Sequence, residues 1–294
     1  MAENKRKTGT SSIKTGDPQN TIAFQGLPGA HSDMACRKAY PYMYTMPCPY
    51  FDDVFEAVES GKASLGLIPV ENSKAGRVAE IHNLLPNSKL HIVGEYIHKV
   101  AHHLLAPKGT KLGDIKHAYS HPQALMQCKG NLKKLGIASE TFYDTAGAAS
   151  QIAEWKDKTK AALASDLAAE LYGLDIVKPN MQDDDKNRTL FVTISKEPIE
   201  VDSHEEHVLT TILFTTRNIS AGLYKALGGF ATNGVNVIKL ESYIQDFDAN
   251  TAQFYMTFEG SPASKPVKMA MEELGFFTQK VRVLGVYAAD KSRY

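Results

Sequence analysis

A short apolar run, a turn-rich polar loop and a helix-period segment follow one another four times before residue 180. This recurrence restricts the fold more than any other feature of the chain. Thr21 to Phe24 reads as a buried strand, and 26–32 (GLPGAHS) as a tight turn in which Ser32 can cap a helix carrying Met34, Ala35 and Ala39. Asp52 is a candidate cap for a second helix, Asp53 to Ser60. The run Leu65 to Val70 ends in Glu71-Asn72-Ser73-Lys74, followed by a helix with Val78, Ile81 and Leu85 on one face that should stop at Pro86. Lys116 to Tyr119 is the third strand. Ser120 and Gln123 have capping-box spacing at the head of a helix that buries Leu125, Cys128, Leu132 and Leu135 and ends at Gly136. Asp144 heads an Ala-rich helix through Trp155. Ala161 to Ala164 is the fourth strand, with Ser165 and Gly173 bounding its helix. Such alternation predicts an α/β fold on parallel sheet, with ligands beyond the carboxyl ends of the strands. Every polar loop named here falls at such an end.

Composition narrows the class. At 294 residues, 43% hydrophobic, the chain can bury the cores of about two domains. Lys plus Arg (33) balances Asp plus Glu (33), so no net field draws nucleic acid or an anionic membrane surface. Three cysteines without ligand spacing fit a reducing compartment, and no segment has the length of a membrane helix. Residues 1–20 are polar and basic and read as a disordered arm, not a signal peptide, which gives a cytoplasmic expectation. A polar segment at 197–206 reads as a linker. Beyond it the order strand (Val208 to Thr215), helix (Ala221 to Asn233), strand (Val235 to Ile244), strand (Gln253 to Glu259), helix (Pro266 to Leu274), strand (Lys280 to Tyr287) is βαββαβ, the ferredoxin-like motif.

One stretch, Asn180 to Ile194, joins an acidic turn (Asp183-Asp184-Asp185) to Asn187-Arg188-Thr189 and then to a strand, so polar groups sit at a strand mouth. The three aspartates lack the Gly and distal Glu of a calcium loop and read as solvated. His102-His103 are adjacent in an expected strand, point to opposite faces, and read as structural.

The segments 26–32 (GLPGAHS), 69–78 (PVENSKAGRV), 120–128 (SHPQALMQC), 144–149 (DTAGAA) and 172–191 (YGLDIVKPNMQDDDKNRTLF) occur in that order. Together they resemble prephenate dehydratase, and the C-terminal segment resembles its ACT regulatory domain. The resemblance implies a two-lobed catalytic domain over 21–196, similar to periplasmic solute-binding proteins. Lobe one would be 21–97 plus 190–196 and lobe two 98–189, with the site between them and the ACT domain at 207–288. It implies a carbon–oxygen lyase that needs no cofactor and no metal. Prephenate loses its ring carboxylate as CO2 and its ring hydroxyl as water. By the same resemblance Thr189, Glu71, Asn72 and Gln123 are catalytic, while Ser73, Ser120, Asn187, Arg188 and Phe191 hold substrate. Threonine is a poor acid, so Thr189 is expected to polarise the leaving hydroxyl rather than transfer a full proton. The family's Thr-Arg-Phe reads Thr189-Leu190-Phe191 here, and Arg188, with Arg77, is expected to replace the missing charge.

The ACT part departs from its pattern. The usual Pro-Gly-Ala-Leu-type loop reads Ser220-Ala221-Gly222-Leu223, and Glu-Ser-Arg reads Glu241-Ser242-Tyr243. Asn218, Ala221, Gly222, Leu223, Glu241 and Ser242 remain the expected site for L-phenylalanine as effector, in a homodimer or homotetramer. The rival functions are arogenate dehydratase and a non-catalytic small-molecule sensor on the same scaffold.

Overall fold

A computed structural model describes residues 16–202, 204–243 and 252–294. The expected N-terminal arm up to residue 15, and the end of the expected strand at Ile244, lie outside the described residues. The chain begins with β1 (Thr21–Gln25), α1 (His31–Ala39), β2 (Tyr44–Cys48), α2 (Phe51–Glu59), β3 (Leu65–Asn72), β4 (Gly76–Arg77), α3 (Ala79–Asn87) and β5 (His91–Lys99). It continues with β6 (His103–Ala106), β7 (His117–Ser120), α4 (Pro122–Gln127), α5 (Lys129–Leu135), β8 (Ala138–Thr141), α6 (Thr145–Trp155), β9 (Lys160–Ala164), α7 (Asp166–Tyr172) and β10 (Asp175–Lys178). After β11 (Arg188–Ser195) come β12 (Val208–Thr216), α8 (Gly222–Thr232), β13 (Val237–Tyr243), β14 (Gln253–Glu259), α9 (Lys265–Phe277) and β15 (Thr278–Ala288).

Two sheets form two lobes, ordered β2-β1-β3-β11-β5 (with β4 on β3) and β10-β6-β9-β7-β8. Neither is purely parallel, which corrects the expectation from alternation. β11 runs antiparallel to both β3 and β5, and β6 runs antiparallel to both β9 and β10. These are the two strands that enter a lobe directly from the other one. A chain arriving from the cleft must run away from it, whereas β1, β3, β7 and β9 run toward it and deliver their loops there. Gly29 shows how closely the lobes meet. Its φ is +87°, and a Cβ there would stand 2.9 Å from the Ala168 Cα on α7. Across the same junction the Ser165 hydroxyl donates to the Gly29 carbonyl (2.5 Å) and Tyr172 to the Pro28 carbonyl (2.8 Å).

Local ends differ from expectation in four places. Ala30 occupies the cap position of α1 and Ser32 lies inside the helix, while the buried Asp33 carboxylate reaches back to accept from the Gly29 N–H (2.9 Å). α2 begins at Phe51, with Asp53 rather than Asp52 accepting from the Tyr50 N–H (3.0 Å). Pro86 sits in the last turn of α3, where its missing N–H costs a single bond and the Ser88 N–H still closes on the Leu84 carbonyl. The expected helix 121–135 breaks at Cys128 into α4 and α5, because the Asp183 carboxylate caps the second start through the N–H groups of Gly130 (2.7 Å) and Asn131 (2.9 Å). Asp183 is thus a structural acid and not merely a solvated one.

The third sheet, β13-β14-β12-β15, is antiparallel, with α8 and α9 packed on one face around Phe214, Phe230, Met256 and Phe258. Its other face stacks on the first lobe. Leu209, Leu213, Tyr255, Leu284 and Tyr287 share one core with Ile92, Val192 and Ile194. A Cβ at Gly285 would run into the Ile92 carbonyl oxygen, so glycine there permits β15 to lie close against β5. Charged groups flank this apolar contact. Arg293 binds the buried Glu95 carboxylate (2.7 Å), and Lys239 bridges Glu71 (2.6 Å) and Glu241 (2.7 Å).

Candidate active site

Alternation along β3 and β11 sorts the expected residues between two environments. Asn72 is paired with Thr189, and Glu71 with Leu190. Successive strand residues face opposite sides, so Asn72 and Thr189 look into the cleft while Glu71 and Leu190 look toward the C-terminal sheet. A cavity of about 210 Å³ between the lobes is lined by His31, Asn72, His102, Gln123, Asn187 and Thr189, among others. Glu71 stands outside it, held by Lys239, and so is separated from the catalytic group in which it was expected. Arg188 and Arg77 are exposed and line neither this cavity nor its continuation, because Arg188 alternates with Thr189. Their expected role in meeting substrate charge therefore has no geometric support.

Other expected ligands are committed to the scaffold. Ser120 is the last residue of β7, fully buried, and its hydroxyl donates to the Leu163 carbonyl (2.6 Å). The cap of α4 is His121, whose Nδ1 accepts from the Gln123 N–H (3.3 Å). Ser73 accepts from the Arg188 N–H (3.0 Å) and donates to the Lys186 carbonyl (3.2 Å), tying the returning crossover to β3. Phe191 is 2% exposed and packs with Ile22, Phe24 and Leu67 as core.

What remains in the cleft is a chain of amides around one hydroxyl. Asn72 Oδ1 accepts from the backbone N–H groups of Lys74 (3.0 Å) and Ala75 (2.9 Å). Backbone amides only donate, so this fixes the oxygen and turns Nδ2 toward Asn187 Oδ1 (2.8 Å) and Thr189 Oγ (2.9 Å). Thr189 Oγ must then accept from Asn72. Its own hydrogen is left to point at a partner in the cavity. Asn187, 2% exposed, donates its Nδ2 to Gln127 Oε1 (2.7 Å), joining lobe one to α4 of lobe two. Opposite, the Asp144 carboxylate caps α6 through the Gly147 N–H (2.6 Å), and Thr145 brings the positive end of that helix to the cavity wall.

Two histidines, His31 and His102, complete the floor, and the buried His98 lies behind His31. His31 Nδ1 lies 3.3 Å from His98 Nε2, His31 Nε2 lies 3.5 Å from His102 Nδ1, and His102 Nε2 lies 3.1 Å from Gln127 Oε1. Burial pushes His98 down to about 4, with Lys38 adding to the effect. Burial likewise pushes His102 down to about 4, with His103 adding to the effect. His31 is held well below the ordinary imidazole range by burial first and its histidine neighbours second. The rings form a row rather than converging on a point, and among the described residues no group of acidic, histidine or cysteine side chains is arranged to hold a metal.

His31, His102 and Gln127 were missed as site residues. His102 precedes β6 instead of lying in it, so strand alternation did not apply to it. Gln123 and Gln127 are four apart and share one face of α4, a spacing that was available to find the second from the first. Beyond His31 the cleft widens into a cavity of about 610 Å³ lined by Leu27, Pro47, Pro49, Tyr50, Tyr143 and Thr145.

Residues 22–199 match the family model of prephenate dehydratase. The chain belongs to the prephenate dehydratase family. It is 44% identical over 275 residues to a bifunctional N-acyl-homoserine lactone acylase/prephenate dehydratase of Komagataeibacter europaeus, covering 94% of this chain and 98% of that one. It is 39% identical to an arogenate dehydratase/prephenate dehydratase of Arabidopsis thaliana, covering 96% of this chain and 76% of the relative. In structure it superposes on a prephenate dehydratase from Arthrobacter aurescens in complex with L-Phe, with TM-score 0.83 and 24% identity over 91% of this chain and 89% of that one, a likeness of fold. The expected function, a prephenate dehydratase and so a lyase, stands with these comparisons.

Proposed function

We propose that the chain converts prephenate to phenylpyruvate in the cleft between the lobes, with Thr189 acting on the departing hydroxyl. The bond from the ring to its carboxylate breaks, its electron pair aromatises the ring, and the ring hydroxyl leaves. That hydroxyl takes up a proton and departs as water, while the carboxylate departs as CO2. The observation that carries this is the 2.9 Å bond from Asn72 Nδ2 to Thr189 Oγ, which makes the threonine hydroxyl a donor toward the cavity. Gln123 and the N-terminus of α6 supply neutral donors for the substrate carboxylates. Thr189→Val keeps the β-branch and removes the donor. Turnover of prephenate, followed by phenylpyruvate absorbance in alkali, should fall about a hundredfold with folding intact. Near-normal turnover in the folded variant would remove Thr189 from the mechanism. Arogenate, whose product would be phenylalanine, is the second substrate for the same assay. Turnover of neither by the wild type would favour a sensor.

The βαββαβ segment is read as an ACT domain that binds L-phenylalanine between copies of the chain, in a cytoplasmic homodimer or homotetramer. Asn218 and Ala221 are exposed just before α8, whose first residues are the buried Gly222 and the half-buried Leu223; Glu241 and the exposed Ser242 lie near the end of β13, which runs the same way as β12, so both groups are at one end of the sheet. Glu241 faces the first lobe through Lys239, on the side of the sheet away from α8, so a site using both groups calls for a second copy. No helix among the described residues is long and apolar enough to cross a membrane.

A second reading comes from the first relative's acylase activity. The apolar 610 Å³ cavity beside His31 has room for an acyl chain. Release of free fatty acid from N-acyl-homoserine lactones would establish it, and no release across chain lengths would dismiss it.

A further inference from the structure

We infer that His98, His31 and His102 form a one-way donor relay that positions Thr189 by locking the amide of Gln127. The inference rests on reading the cleft as the dehydratase site. The direction of every bond follows from the backbone anchor at Asn72. With Asn72 Oδ1 fixed by two peptide N–H groups, Asn187 must present Oδ1 to Asn72 and Nδ2 to Gln127. Gln127 therefore presents Oε1 to both neighbours, and His102 must donate from Nε2. A neutral ring with a proton on Nε2 has a lone pair on Nδ1, so His102 accepts from His31 Nε2. The same step repeated makes His31 Nδ1 accept from His98 Nε2. All three rings carry the Nε2–H tautomer, and all three are neutral.

Without the donor from His102, Gln127 keeps only its bond to Asn187 and can rotate its amide. The amide nitrogen would then face the Asn187 nitrogen, donor against donor, and Asn187 would turn in response. Asn72 cannot turn with it, because its oxygen is held by backbone. The strain falls on the bond that Asn72 shares between Asn187 and Thr189. His31 and His102 also span the lobes, one on α1 and one at the crossover beside α4, so the relay depends on the spacing between the lobes. These are positioning residues, which act through the hydroxyl of Thr189. The titratable and charged groups around the relay are Lys38 on α1, Tyr96 on β5, His103 on β6, Asp166 on α7, and His121 and Asp144 on the cleft wall.

Long-range proton–nitrogen correlation spectra of the wild-type histidine rings test the relay directly. At pH 7 the three rings should show the neutral Nε2–H pattern. An Nδ1–H tautomer or a charged ring at His31 or His102 would overturn the relay. Kinetics supply the second readout. His102→Phe should lower kcat by roughly five- to tenfold, the scale of one lost hydrogen bond, with KM little changed. His102→Gln, which restores a donor near the Nε2 position, should recover most of it. In a Thr189→Val background His102→Phe should cost nothing further. A full, independent loss in that background, or no rescue by glutamine, means that His102 serves packing alone and sinks the positioning role. If the wild type turns over no prephenate, the dehydratase reading fails and the ring spectra alone decide the relay.

Discussion

Asn72→Asp is the most searching substitution in the cleft, because it changes one NH2 to an oxygen and leaves the shape alone. One carboxylate oxygen would keep the N–H groups of Lys74 and Ala75. The other would face Thr189 Oγ at 2.9 Å and Asn187 Oδ1 at 2.8 Å, where a donor stood before. Thr189 would now give its hydrogen to the aspartate, since a bond to a charged acceptor outweighs a neutral one by about twofold. The substrate loses its donor and meets an added negative charge. Loss of a positioned donor alone is worth about a hundredfold, or about 2.7 kcal/mol in the barrier. The expected result is therefore a kcat at least as low as that of Thr189→Val, and a double variant no worse than the single aspartate. Lowering the pH protonates the aspartate, which can then donate again, so part of the rate should return on the acid side. Phenylpyruvate formation across a pH series measures all of this. A kcat within about threefold of wild type at neutral pH would refute the hydrogen-bond assignment on which the mechanism stands.

Lys239→Met removes the cation between Glu71 and Glu241, whose side chains are 43% and 19% exposed. Discounting for the exposure of Glu71, the loss should be about 1–3 kcal/mol and the melting temperature should drop by several degrees in calorimetry; an unchanged transition would show that the bridge contributes nothing. Arg188→Ala should leave kcat/KM within about twofold of wild type, since the side chain is exposed and away from Thr189; a tenfold loss would return the arginine to the substrate site. Stability should also depend on pH through the histidine row. His98 and His102 sit at about 4 in the folded chain against an ordinary 6.5, so the unfolded chain binds more protons between those values. Their contribution is complete above pH 6.5 and is lost as pH falls through 4, and the melting temperature should decline across that window; a flat profile from pH 7 to 4.5 would contradict neutral burial.

The strands, helices and loops of both lobes were largely legible from residue order, because periodicity, caps and turns are local. Asp144, Ser165, Gly136 and Gly173 bound helices where their chemistry says they should, and the βαββαβ order of the C-terminal segment is written in its apolar spacing. Ser120 and Asp52 failed as caps for a local reason too: a strand ran one residue longer, and a helix began two residues earlier and took Asp52 into its first turn. Thr189 and Asn72 entered through motif resemblance, and their pairing across β3 and β11 had to wait for the register. Register also separated Glu71 from Asn72, adjacent in sequence yet facing different domains, since a pleated strand sends neighbours to opposite faces. The direction of β6 and β11 followed from how the chain crosses between lobes, which no single segment records. Positions 31, 98, 102 and 127 belong to different elements, so the histidine row exists only after both lobes have closed on it. Residue order determines which groups a chain can offer; the orientation of each hydrogen bond among them is a property of the assembled cleft.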